Sequence, residues 1–160
     1  MVNTRQKEAA RKKFLGELGE LVGIKVLVDL GFDKIKNIND TKLNERFADL
    51  YCEKDDKRFV ISVKTRNKYT KNGKLNSSYN LGTNAYDKAL NISSKYKAEP
   101  YWMAIQFDSK EYSIYFGSLE CLNSRKSIPI VKCANGECGE ILIKNKRHFF
   151  DFSHLTNRKN

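Results

Sequence analysis

No apolar run in this chain approaches the roughly 20 residues that cross a bilayer, so a membrane span is not expected. The opening residues, MVNTRQKEAARKKF, carry charge with no apolar stretch behind it. No secretory signal is read there, and a cytoplasmic protein is expected. Internal repeats and low-complexity tracts are absent, which leaves solenoids and disordered linkers aside. The four cysteines, Cys52, Cys121, Cys133 and Cys138, form no disulfide pattern. Acids are scarce: 19 Asp plus Glu stand against 30 Lys plus Arg, a formal charge of +11.

What is present is ordinary for a globular chain. At 160 residues, 40% hydrophobic and 31% charged, a single domain spanning 1–160 is expected, able to bury its own core without staples. The basic excess favours a polyanionic partner, usually nucleic acid. The plainer alternative is a basic surface with no ligand. The basic residues gather in 5–13, 64–74 and 144–147 and at Arg158 and Lys159.

Cys133, Cys138, His148 and His154 supply the donor types of a tetrahedral zinc site. Their spacing does not suit one: the interval before the first histidine is short and the two histidines lie far apart. Cys52 and Cys121 sit in apolar segments and read as small buried hydrophobes.

Residues 7–30 carry apolar residues at Phe14, Leu15, Leu18, Leu21, Val22, Ile24, Leu27 and Val28, a broad helical stripe. Gly31 is suited to end that helix in the left-handed conformation. A weaker strand is expected over 33–39. Residues 47–53 and 58–64 are rich in β-branched and aromatic side chains around the polar turn of residues 54–57, and so read as a hairpin. A long polar loop over 67–83 follows, of the kind that is often functional. A helix is expected over 84–97, closed by Pro100, then strands over 101–107 and 111–116. Residues 140–143 and 148–152 are candidate further strands in an extension over 117–160. Helix, three strands, helix, two strands packs naturally as a mixed sheet with helices on its faces, an α/β fold. Tyr101, Trp102, Phe107, Tyr112, Tyr115 and Phe116 read mainly as core or sheet surface.

The hairpin carries the chemistry. In its second strand Ser62 and Lys64 share a face, because side chains alternate. Asp49 on the partner strand can meet them across the pair. An ordinary hairpin with a solvated polar face is the bland alternative.

With that order in hand, the chain resembles the PD-(D/E)XK nuclease superfamily, the restriction-endonuclease-like fold shared by archaeal Holliday-junction resolvases and many repair and restriction nucleases. The resemblance covers roughly residues 14–116. Gly16-Glu17-Leu18-Gly19-Glu20 looks like the acidic first helix, Ala48-Asp49-Leu50 like the "PD" element, and Ser62-Val63-Lys64 like the "(D/E)XK" element, with Ser62 where the family has an acid. The resemblance implies a metal-dependent DNA endonuclease using magnesium or manganese, of structure-selective or restriction type and often homodimeric. It implies Glu20 and Asp49 as metal ligands, Lys64 as the group that orients water and stabilises the phosphate, and Ser62 as a catalytic position. Arg66, Lys68, Lys71 and Lys74 are the candidate DNA contacts.

Ser62 leaves three outcomes open. The missing acid has moved, with Asp87 the first candidate and Glu53 and Glu45 weaker ones. Or Glu20 and Asp49 alone hold a metal. Or the chain is a catalytically silent DNA-binding protein on the same fold. An incidentally basic interaction protein is a further rival. Gly16, Gly19 and Gly23 each cost about 1 kcal/mol in a helix relative to alanine, which points to a close approach to the sheet or to substrate.

Overall fold

The computed structural model describes residues 3–38 and 46–148. Helix α1 (Thr4–Asp29) opens on Asn3, whose side chain accepts from the Arg5 amide while Gln6 reaches back to the Asn3 amide. This reciprocal cap satisfies two otherwise orphaned donors. Past the helix end, Gly31 takes φ +89°, which only glycine adopts freely.

Six strands follow in one sheet, ordered β1 (Asp33–Asn37), β2 (Leu50–Lys54), β3 (Lys57–Asn67), β5 (Glu99–Phe107), β6 (Glu111–Ser118), β8 (Glu140–Arg147). The β3–β5 pair is parallel and the rest are antiparallel. The parallel pair is joined through α2 (Ala85–Tyr96), as parallel strands require a crossover. Two short strands, β4 (Ser78–Asn80) and β7 (Ser127–Pro129), form a second small sheet, and α3 (Ile130–Ala134) follows β7. This is the mixed sheet flanked by helices expected from the sequence.

Alternation along β3 divides the core. Phe59 and Ile61 join Leu15, Val26, Leu27, Met103 and Ile105 on the α1 side. Val60 joins Ala85, Ala89, Ile92, Trp102 and Ala104 on the α2 side. Every strand aromatic named above packs in or against one of these clusters. No described helix is long and apolar enough to cross a membrane.

Several boundaries move. β3 runs to Asn67, three residues past its expected end, because Thr65 and Asn67 are also buried. The 67–83 loop contains β4 and a small antiparallel bridge between Tyr69 and Leu75. β8 is the sixth strand of the main sheet and extends to Arg147. Cys52 is fully buried, as expected, whereas Cys121 is exposed. The apolar look of its neighbours is explained by Leu119 and Leu122, which turn inward around a 3₁₀ turn (Glu120–Leu122) and leave Cys121 outside.

The α1 stripe also divides. Leu15, Gly19, Gly23, Val26 and Leu27 face the sheet, while Leu21 and Val28 face outward. Gly19 and Gly23 mark the close approach: a Cβ at Gly19 would lie 1.7 Å from Thr65 Oγ1, and one at Gly23 3.0 Å from Met103 Sδ. Gly16 has open space around its Cβ position.

Candidate functional site

The β2–β3 hairpin sets the frame. Its turn residues Asp55 and Asp56 take φ +51° and +61°, the paired left-handed conformation that matches strand twist. Leu50 pairs with Ile61, so the register continued by one residue puts Asp49 opposite Ser62. The Asp49 backbone is pinned on both sides: its amide donates to Ile61 O at 2.8 Å, and its carbonyl accepts from the Ile38 amide at 2.9 Å.

The Asp49 side chain is nearly buried. Its Oδ2 accepts from the Val63 amide at 2.7 Å, and its Oδ1 lies 3.4 Å from Arg46 Nη2. Burial pushes its pKa above the usual carboxylate range, against the lowering pull of the Val63 hydrogen bond, Arg46 and Lys64. Lys64 is displaced the other way. Burial lowers its pKa, Asp49 opposes that, and Arg66, Arg46 and Lys88 add to it. Glu20 is raised by burial first and next by the charge of Asp49, with Arg46 pulling it down. Glu20 on α1 thus feels the charge of Asp49, and Asp49 and Lys64 feel each other's, which places the three in one neighbourhood.

Ser62 is 0% exposed, and its Oγ has no hydrogen-bond partner. It lies on the α2 side of β3, beside Trp102 of β5 in the register. Lys64 and Arg66 line a cavity of about 660 Å³ with Asn80, Asp87 and Lys126. Asp87 sits in the first turn of α2 on that cavity. Among the described residues no three of His, Cys, Asp and Glu are grouped closely enough to hold a metal. Glu53 is taken up elsewhere, by Lys34 at 3.0 Å and by the Tyr51 hydroxyl, which donates to it at 2.9 Å. Glu45 lies outside the described residues.

The candidate DNA contacts spread from this centre. Arg66 also lines a second cavity, of about 380 Å³, with Arg11, Lys12 and Tyr69. The Lys68 ammonium lies 5.7 Å from the Tyr69 ring centre. Lys71 and Lys74 are exposed near the tip of the turn closed by the Thr70 amide on Lys74 O at 2.7 Å. The zinc donors do not gather: Cys133 and Cys138 are buried neighbours, whereas a His148 ring nitrogen lies 3.1 Å from Asp108 O. His154 lies outside the described residues.

Arg46 and Lys126 are the residues that sequence reading passes over. Arg46 precedes Asp49 by three positions in a segment without periodicity. Lys126 arrives from the far end of the chain, where the Lys126 carbonyl accepts from Leu81; no local pattern announces it.

The fold defined by this sheet and its two flanking helices is restriction-endonuclease-like. Among solved structures it is similar to that of Hjc, a Holliday junction resolvase from the archaeal hyperthermophile Archaeoglobus fulgidus. The TM-score is 0.56 at 14% identity, over 79% of this chain and 96% of that one. No protein-family model and no curated protein sequence matches the chain.

Proposed function

We propose that the chain is a metal-dependent endodeoxyribonuclease, selective for a branched DNA structure. The observation that carries this reading is the meeting of Glu20, Asp49 and Lys64 at one place on a fold shared with a junction resolvase.

The donor set suits a divalent cation. Asp49 is nearly buried and Glu20 half-buried beside its charge; burial raises both pKa values, and a cation would favour the charged form of each. Magnesium keeps several of its waters and is often held by one or two carboxylates together with substrate phosphate. Glu20 and Asp49 would hold it. When bound, such a cation lowers the pKa of water and stabilises charge on the phosphate.

The chain's own groups do the rest. The Val63 amide fixes the Asp49 carboxylate, so its direction is set before substrate arrives. Lys64 presents a compact cation to the scissile phosphate, where negative charge develops. Desolvation makes that ammonium readier to give up a proton, which suits a group that orients or activates water. Arg66 and Lys126, on the same cavity as Lys64, neutralise adjacent phosphates. Arg46, 3.4 Å from Asp49, favours the charged carboxylate and partly offsets the effect of burial.

One observation favours a second reading, a DNA-binding protein without catalysis. Ser62 is neutral, buried and unpartnered, where an acid would have supplied a third ligand. Incubating the protein with four-way, flap and linear DNAs, with and without magnesium or manganese, separates the two. Metal-dependent cutting that Lys64→Ala removes while binding survives supports the nuclease. Salt-sensitive binding with no cutting under any condition supports the silent module.

A further inference from the structure

Nothing in the nuclease site accounts for three cysteines that gather beside Trp102. Strands β6 and β8 bring two of them there. Phe116 pairs with Glu140, so the register continued by two residues puts Ser118 opposite Cys138. The Cys121 amide donates to Ser118 Oγ at 3.2 Å, which folds the 3₁₀ turn back toward that position. Two glycines let the segments close on the indole. A Cβ at Gly117 would stand 2.7 Å from Trp102 Cζ2 and 3.0 Å from Cys121 Sγ, and one at Gly139 would stand 2.9 Å from Trp102 Cη2. Cys133 arrives from α3. The turn after it is held by the Gly136 amide on Cys133 O at 3.0 Å and the Glu137 amide on Lys132 O at 2.8 Å. Side-chain hydrogen bonds join Cys133 to Cys138 and Cys138 to Cys121.

A buried cysteine commonly serves as a small hydrophobe. That suffices for Cys133 and Cys138, at 0% and 7% exposure. It does not suffice for Cys121, which is exposed and lines a cavity of about 660 Å³ with Tyr101, Phe116 and Gly139. An accessible thiol next to a resolving thiol is the arrangement that oxidises reversibly. Burial pushes the Cys133 thiol up to about 12 and raises Cys138 as well. Neither therefore offers the thiolate that attacks an oxidant, and the exposed member starts the reaction.

We propose that Cys121 and Cys138 form a peroxide-responsive pair that closes reversibly into a disulfide. The Cys121 thiolate attacks one oxygen of hydrogen peroxide. The O–O bond breaks, and the departing hydroxide takes a proton to become water, leaving Cys121 as the sulfenic acid. The Cys138 sulfur then attacks Cys121 Sγ. The S–O bond breaks, and the leaving hydroxyl takes the Cys138 proton as a second water. Two thiols lose two electrons in all, and the peroxide gains them. A thiol reductant reopens the bond by exchange. The pair shares no residue with the nuclease site, so the two readings stand or fall separately.

Thiol titration of the full chain in denaturant, before and after hydrogen peroxide, tests the pair. The reduced protein should show four thiols and the oxidised protein two, with a reductant restoring all four. Peptide mapping of the oxidised protein should find Cys121 joined to Cys138. The fluorescence of Trp102, the one tryptophan, should fall on oxidation, because the bond forms against its ring. Cys121→Ser should keep its three thiols under the same peroxide. Cys138→Ser should hold Cys121 as a sulfenic acid that dimedone labels. Cys133→Ala should form the bond as the parent does. Four thiols surviving peroxide in the parent overturn the proposal. So does a bond between Cys133 and Cys138 that forms equally in Cys121→Ser, or a parent whose mapped bond links Cys121 of two chains.

Discussion

Gly19 of α1 and Thr65 of β3 are in such close contact that a Cβ at Gly19 would stand 1.7 Å from Thr65 Oγ1 and 2.7 Å from Thr65 Cβ. The contact seats the turn of α1 that carries Glu20. Gly19→Ala should therefore push the helix off the sheet. Overpacking of this kind costs about 1–3 kcal/mol, more than alanine's helix propensity returns. Thermal melting is expected to show the loss, with part of it recovered in Gly19→Ala/Thr65→Ala, because the two sites couple through direct contact. Any cleavage activity should fall further than stability does, since Glu20 moves away from Asp49.

Asp49→Asn removes a carboxylate that burial disfavours while leaving an oxygen to accept from Val63. Because the folded-state pKa of Asp49 lies above its ordinary value, the native state holds more protons than the unfolded chain between those two values, and stability falls as pH rises through that window. The asparagine variant lacks that fall. At neutral pH and without divalent cation it should be the more stable protein by on the order of 1 kcal/mol, about 2–4 °C in melting temperature for a chain of this size. Magnesium should raise the melting temperature of the parent and leave the variant unchanged. Differential scanning calorimetry reads both effects.

Ser62 offers a contrasting pair of substitutions. Its Oγ is buried without a partner, so Ser62→Ala leaves nothing unsatisfied and should change stability by less than about 1 kcal/mol. Ser62→Glu places a third carboxylate opposite Asp49. Without metal it should melt lower than the parent; with magnesium the difference should shrink, and calorimetric titration should show tighter binding. Unchanged magnesium affinity in that variant would count against Ser62 lining the site.

The basic residues differ in what they should do to binding. Each lysine or arginine that contacts a phosphate adds about 0.9 to the slope of log affinity against log salt on duplex DNA. Replacing Arg66 or Lys68 by alanine should lower the slope by about one each, because Arg66 lines the same cavity as Lys64 and Lys68 follows two residues on. Lys71 and Lys74, at the tip of their turn, should contribute only when the duplex spans that far. Filter binding across a salt series gives the four slopes.

The hairpin was legible because its chemistry is written in a period of two. Phe59, Val60, Ile61 and Ser62 alternate between two cores, and the alternation alone puts Ser62 and Lys64 on one side. The glycines of α1 were legible as a close approach because Gly is otherwise unfavourable in a helix, although only Gly19 and Gly23 make one. Arg46 was not legible, since it reaches Asp49 from a stretch without periodicity. Lys126 was not, since its place depends on the pairing of β4 with β7 far along the chain. Cys121 was misread because its neighbours Leu119 and Leu122 are buried while a tight turn carries the cysteine outward. The outward turn of Leu21 and Val28 on α1 was hidden inside a stripe too broad to belong to one face.

Asp49 is the residue on which the proposed phosphodiester chemistry depends. Cleavage of a four-way DNA junction in magnesium, measured side by side for the parent and Asp49→Ala, addresses that most directly. Cutting by the parent with none by the variant, at matched folding and matched junction binding, is the predicted result. An Asp49→Ala protein that cuts as fast as the parent would contradict it.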